Sequence, residues 1–137
     1  MTAARRPEEL TEVELPAAEA LEVVHGWRPL TPAEADLLRD GPSEPILAQR
    51  LTEALRRLNP WLDEDGLRRA LAAVSRVAGA DLLEVNEKVH TVLTYGVTAG
   101  AEAGGRRRSR TVRFFDFDDP GGNTFELVRQ FRVRGPR

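Results

Sequence analysis

The sequence predicts an α+β protein in which several helices come first and an antiparallel three-strand meander follows. Two observations predict this order. From about residue 16 to residue 95, apolar residues recur every three or four positions, the spacing of helices that bury one face. After Gly96 the period changes, and residues 97–134 contain β-branched and aromatic residues that alternate with polar ones, as in half-buried strands.

The first two helices are predicted from the residues at their ends. Pro16 suits the first turn of a helix, and Gly26 is a residue type that commonly follows a helix end. Thr31 can cap a second, short helix, with Pro32 at its first position.

Three further helices are predicted in the same way. Ser43 is expected to cap one that ends at Asn59, because a residue before proline is disfavoured in the helical conformation. Asp63 and Asp81 are expected to begin the next two, and Gly96 ends the last.

The strands of the meander are predicted at residues 97–103, 111–117 and 125–133. Residues 118–123 are dense in aspartate, proline and glycine and are expected to form the second connection. The first connection is expected to be a flexible basic turn, formed by Gly104, Gly105, Arg106, Arg107 and Arg108.

Composition narrows the class of protein. The chain has 137 residues, 41% of them hydrophobic, which predicts at most one domain with a real core. Residues 1–12 are expected to be a flexible lead-in, and residues 13–137 the folded region. There is no cysteine, so disulfides and thiolate nucleophiles are excluded. No apolar run approaches the roughly 18 residues of a membrane span. No signal peptide is recognisable, and a cytoplasmic protein without a membrane partner is expected.

The net charge of −2 hides an uneven distribution. Residues 104–137 hold nine basic and four acidic side chains, whereas residues 1–103 have a net charge of −7. A basic end on an acidic body suggests an anionic partner such as nucleic acid, but on charge alone the favoured interpretation is a solvated strand edge in an arginine-rich protein. The candidate phosphate-binding residues are Arg106, Arg107, Arg108 and Arg110.

Three aspartates form the densest acidic cluster, at Asp116, Asp118 and Asp119. Such a cluster could hold Mg²⁺ or Ca²⁺, but Pro120 and Leu127 stand where a calcium loop needs ligands. The favoured interpretation is a turn whose aspartates bind their own backbone.

The sequence gives little support for other kinds of catalytic or metal site. His25 and His90 have no second histidine at metal-ligand spacing, and a structural role is favoured for each. No serine lies in a nucleophile elbow. Glu14, Glu19 and Glu22 lie on the first predicted helix, where one could serve a metal site or all could form a solvated acidic face.

Four strings resemble the restriction (R, or HsdR) subunit of type I restriction–modification enzymes. They are Val13-Glu14-Leu15-Pro16 followed by Gly26-Trp27, RLTEALRRLNP at 50–60, LLEVNEKVHTVLTYGV at 82–97, and VRFFDFDDPGGNTFELVRQFRV at 112–133.

This resemblance implies the beginning of a PD-(D/E)xK nuclease domain. In that family the domain is followed by motor domains that use ATP, and Mg²⁺ activates water at the nuclease site. The resemblance also implies double-stranded DNA and the methylase and specificity subunits as partners. By position, Glu19 and then Glu14 match the helix-borne glutamate that often contributes to such sites.

The sequence departs from the family pattern at the catalytic residues. It contains no E-x-K with an aspartate one strand earlier, and its single lysine, Lys88, matches a non-catalytic helix. The resemblance therefore implies an incomplete nuclease fold that is inactive alone and has no metal or nucleotide bound to it. The alternative is a stand-alone, non-catalytic DNA- or protein-binding module derived from that fold.

Overall fold

A computed structural model of the protein describes residues 10–103 and 106–135. Helical residues in the described chain are α1 (Leu15–Glu19) between π-helical turns at Leu10–Glu14 and Ala20–Val24, α2 (Pro32–Asp36), α3 (Ala48–Leu58), α4 (Glu64–Ser75), α5 (Leu82–Tyr95) and a 3₁₀ turn at Pro120–Gly122. The strands are β1 (Arg28–Leu30), β2 (Val97–Ala103), β3 (Arg106–Val112) and β4 (Glu126–Val128). The protein is thus a mixture of helix and sheet, as predicted.

The chain forms two compact units. One contains the described residues up to Pro45 together with those from Phe125 onward, and so holds α1, α2, β1 and β4. The other is Ile46–Thr124 and holds the remaining helices and strands.

Most of the predicted helix ends are confirmed. The side chains of Thr31, Asp63 and Asp81 each accept a hydrogen bond from the backbone N–H three residues later, at 3.1, 2.7 and 2.9 Å. Each bond satisfies an N–H group that the first turn of a helix leaves without a partner. Gly96 follows α5 with φ of +77°, and a Cβ there would meet the carbonyl oxygen of Val112, so glycine is required.

One prediction about the helices is wrong. Ser43 does not cap a helix, since α3 begins only at Ala48 and its N-cap residue, Leu47, makes no side-chain capping bond. Leu10–Glu14, which overlaps the end of the expected lead-in at 1–12, is helical. Residues 1–9 lie outside the described chain.

The predicted three-strand antiparallel meander is wrong in its pairing. Within the described chain β2 pairs only with β3, antiparallel, from Val97 opposite Val112 to Ala103 opposite Arg106. The predicted third strand is shortened to β4, and it pairs in parallel with β1, with Pro29 opposite Leu127. The middle strand ends at Val112 instead of continuing to Phe117.

The core of the Ile46–Thr124 unit lies between α3, α4 and the β2–β3 pair. Its buried members are Leu55, Leu67, Ala70, Ala99, Val112 and Phe114. Trp61, in the connection between α3 and α4, packs against this cluster. Burying such apolar side chains is the main favourable term for folding, about 25 cal/mol for each Å² removed from water.

In the other unit, Arg39 makes a network of contacts, and its side chain is only 5% exposed. Its guanidinium binds Oδ1 of Asp36 through Nε at 3.0 Å and Nη2 at 2.6 Å. Nη1 donates to the carbonyl oxygens of Pro42 and Glu44, and the group lies 4.5 Å from the ring centre of Phe131. One side chain thereby connects α2, the loop that follows it and the segment after β4.

Candidate nucleic-acid interface

The β2–β3 ribbon consists of Val97–Ala103 and Arg106–Val112. It carries all four arginines that the sequence analysis named as candidate phosphate-binding residues. The prediction that Arg106, Arg107 and Arg108 form a flexible turn is wrong: they belong to β3, opposite Ala103, Glu102 and Ala101. Gly104 and Gly105 lie outside the described residues. With Glu102 as its one acidic residue, the sequence of the two strands has a net charge of +3.

Arg110 is the member of this set whose side-chain surroundings the structure describes. It lies opposite Ala99 and two residues before Val112, both of which are buried. Its guanidinium carbon is 4.8 Å from the ring centre of Trp61, within the range of a cation–π contact. The sequence analysis did not single out Trp61, because nothing local links it to a strand almost fifty residues later.

The position of β3 is fixed from α3 by Asn59, a residue that the sequence analysis considered only as a helix end. Asn59 is 1% exposed, and its Nδ2 donates to the carbonyl oxygens of Leu55 at 2.9 Å and Arg113 at 2.8 Å. Its Oδ1 accepts the N–H of Arg113 at 2.9 Å. The amide therefore satisfies the backbone just beyond the end of β3, as a neighbouring strand would.

The acidic cluster forms a closed turn. Oδ1 of Asp116 accepts the N–H groups of Asp118 and Asp119 at 3.2 and 2.9 Å. Asn123 binds both the N–H and the carbonyl of Asp116, at 2.8 and 2.9 Å. Arg113 lies 3.8 and 3.7 Å from the carboxylates of Asp116 and Asp118. The favoured interpretation of a self-bonded turn is thus confirmed.

The two glutamates assigned to catalysis by resemblance have different surroundings. Glu14 is 11% exposed, and its Oε1 is 3.5 Å from Nε of Arg129, which follows β4. Glu19 is exposed on α1. In the described part of the chain, no three acidic or histidine side chains lie close enough together to hold a metal ion. The described residues thus form no three-ligand metal site, and no metal-dependent step follows from them.

The remaining titratable candidates have structural or solvent-exposed positions. His25 and His90 are both exposed. Lys88 donates from Nζ to the carbonyl of Ala78 at 2.8 Å and lies 3.0 Å from Glu84. The Ala80 N–H, and then Lys88, stabilise the charged carboxylate and lower the pKa of Glu84. None of the helices within the described ranges combines the length and apolar character of a membrane span.

Comparison with known proteins identifies the class to which this α+β chain belongs. The model of the family described as type I restriction enzyme R protein N terminus matches residues 8–137. The chain therefore belongs to that family, as its sequence strings indicate.

Two curated relatives agree with this assignment. The type I restriction enzyme HindI endonuclease subunit of Haemophilus influenzae is 29% identical over 101 residues, which cover 74% of this chain and 10% of that protein. The putative type I restriction enzyme MjaIXP endonuclease subunit of Methanocaldococcus jannaschii is 26% identical over 95 residues, 69% of this chain and 9% of that protein. The chain thus spans about a tenth of their length. No solved structure matches it.

Proposed function

We propose that this chain is the beginning of the nuclease region of a type I restriction endonuclease R subunit. The observation that carries the proposal is the family match, which covers residues 8–137. The two relatives bear the name of endonuclease subunits of type I restriction enzymes. The complete enzyme would cut double-stranded DNA in the cytoplasm with Mg²⁺ and ATP, together with methylase and specificity subunits.

Within that enzyme, we propose that the chain supplies scaffold and a DNA-facing wall rather than the catalytic residues. The described acidic residues form no three-membered metal-binding group, and Glu14 is engaged with Arg129. Glu19 is exposed and remains the better candidate for an auxiliary catalytic carboxylate. The wall would be the β2–β3 ribbon, in which Arg106, Arg107, Arg108 and Arg110 would contact phosphates without reading the base sequence.

A combined binding and cleavage assay tests this division of roles. The 137-residue chain is incubated with linear duplex DNA, Mg²⁺ and ATP at low salt, and both band shift and strand breakage are followed. Binding without breakage is expected. Metal-dependent cleavage that Glu19→Ala abolishes would contradict the scaffold role, because the chain would then contain a working site.

The reading frame beyond codon 137 distinguishes the nuclease region from the stand-alone binding module. A frame that continues into an aspartate within a few residues, and into E-x-K about one hairpin later, is expected. A stop codon directly after Arg137 would instead favour the non-catalytic module.

A further inference from the structure

Among the described residues, two arginines lie against aromatic rings, and they differ in what their N–H groups do. Arg39, against Phe131, is almost fully buried and donates to Asp36 and to two backbone carbonyls. Arg110, against Trp61, is exposed, and no acceptor among the described residues lies within hydrogen-bond or ion-pair distance of its guanidinium. The Arg39 contact is complete within the fold, whereas Arg110 has its donors available to a ligand.

The aromatic ring beneath Arg110 belongs to the core. Trp61 packs against the core cluster that contains Val112 and Ala99. Directly opposite residues of an antiparallel pair share a face, which places Arg110 on the face where Ala99 and Val112 are buried. Arg110 therefore lies on the same face as two buried residues but is itself exposed to solvent.

We propose that Trp61 is a positioning residue that holds Arg110 as a phosphate-binding side chain for duplex DNA. The proposal rests on the DNA-facing role proposed for the β2–β3 ribbon. A guanidinium stacked on an indole retains its positive charge and its planar set of donors, which suits two oxygens of one phosphate. Because the stack restricts the side chain before binding, less conformational entropy is lost when the phosphate is bound.

Duplex DNA fits this site better than a single strand. Binding of single strands without sequence preference relies on aromatic side chains on which bases stack. The strands of the ribbon contain no aromatic residue, and one face of Trp61 is already covered by Arg110. Within the two strands themselves, positive charge without aromatic side chains favours backbone contacts to a duplex, and a two-stranded ribbon is narrow enough to follow a groove.

A double-mutant cycle between Trp61 and Arg110 tests the proposal. Affinity for a random-sequence duplex of about 20 base pairs is measured at several salt concentrations for Trp61→Leu, Arg110→Ala and the double variant. We expect Trp61→Leu to lower affinity about three- to fivefold, the value of an exposed cation–π contact. We expect it to have no further effect once Arg110 is alanine. Trp61→Phe, which keeps an aromatic ring, should retain most of the affinity for duplex DNA.

Controls separate a positioning role from a merely structural one. Trp27, the other tryptophan, lies 5.4 Å from Phe125 in the other unit, and Trp27→Leu should leave the affinity unchanged. Circular dichroism establishes that each variant is folded at the assay temperature. Arg110→Ala should reduce the slope of log affinity against log salt by about one, whereas Trp61→Leu should change it less.

The outcomes distinguish this inference from the function on which it rests. An equal loss from Trp61→Leu in both backgrounds, or no loss at all, would overturn the positioning role while leaving DNA binding intact. Single-stranded DNA bound as tightly as the duplex would overturn the choice of ligand. Failure of the unaltered chain to bind duplex at low salt would instead overturn the proposed DNA-facing role.

Discussion

The side-chain amide of Asn59 binds the backbone of Arg113 at two points, donating to its carbonyl at 2.8 Å and accepting its N–H at 2.9 Å. The two residues are 54 positions apart and belong to the same unit. Their contact joins the end of α3 to the end of β3, next to the buried side chains of Val112 and Phe114.

Replacement of Asn59 by alanine should be strongly destabilising. It leaves the N–H and carbonyl of Arg113 without their partner in a partly buried place, and each such loss costs about 1–3 kcal/mol. We expect Asn59→Ala to lower the free energy of unfolding by about 2–4 kcal/mol in urea titrations. Asn86→Ala, at an exposed position of α5, is the matched control and should cost less than about 0.5 kcal/mol. Equal losses would contradict the assigned role.

Arg39→Lys should destabilise the other unit although it preserves the charge. A lysine cannot make the two bonds to Asp36 and the two to backbone carbonyls at once, and it has no planar guanidinium to lie against the ring of Phe131. We expect a loss of about 1.5–3 kcal/mol in the free energy of unfolding. Arg132→Lys, at an exposed position nearby in sequence, should be nearly neutral. If Arg39→Lys is also neutral, the bonds of its guanidinium do not stabilise the unit.

Glu14 and Glu19 provide a paired test of the stabilising role of the ion pair between Glu14 and Arg129. Glu14→Gln removes the charge opposite Arg129 at a mostly buried position, and we expect a loss of about 1 kcal/mol in the free energy of unfolding. Glu19→Gln, on the exposed side of α1, should leave stability unchanged. Thermal and urea unfolding measure both variants. The reverse order of effects would contradict the stabilising role of the ion pair between Glu14 and Arg129.

The stability contributed by Glu84 should depend on pH. The N–H of Ala80, and then Lys88, lower the pKa of Glu84 in the folded protein. A group whose pKa is lowered on folding stabilises the protein above its unfolded pKa, about 4.3 for glutamate, and this contribution disappears as the pH falls through the folded value. Wild type should therefore exceed Glu84→Gln in stability at pH 7, and the difference should shrink as the pH falls below the unfolded pKa and through the lower folded value. A difference that is constant from pH 7 to pH 3 would contradict this origin.

The parts of the fold that the sequence predicts are those set by neighbouring residues. The caps at Thr31, Asp63 and Asp81 follow from side chains that bind N–H groups three residues away. The strand β1 was not predicted, because three residues containing Pro29 show no alternation and its partner β4 lies almost 100 positions later. The early end of β3 has a similar cause. Asn59, at the end of a helix distant in sequence, binds the backbone that a neighbouring strand would otherwise pair with.

In the candidate interface, too, the sequence predicts what neighbouring residues determine and not what distant contacts determine. Charge alone identifies Arg106, Arg107, Arg108 and Arg110, since a cluster of arginines is visible in any reading of the sequence. Their placement in a paired strand and the contact of Arg110 with Trp61 depend on how the strand meets the α3–α4 connection. Neither follows from the local sequence, because an arginine run next to two glycines is equally typical of a turn.

The salt dependence of duplex binding tests the central claim, that the β2–β3 ribbon is a DNA-facing surface. The log of the association constant is measured against the log of salt concentration for the unaltered chain and for a variant with alanine at Arg106, Arg107, Arg108 and Arg110. The control variant has alanine at four other arginines, Arg56, Arg57, Arg68 and Arg69, which are exposed on α3 and α4, and it has the same net charge. We expect the ribbon variant to lose about three to four units of slope and the control variant to lose almost none. Equal slopes for the two variants, or no binding by the unaltered chain at low salt, would contradict the claim.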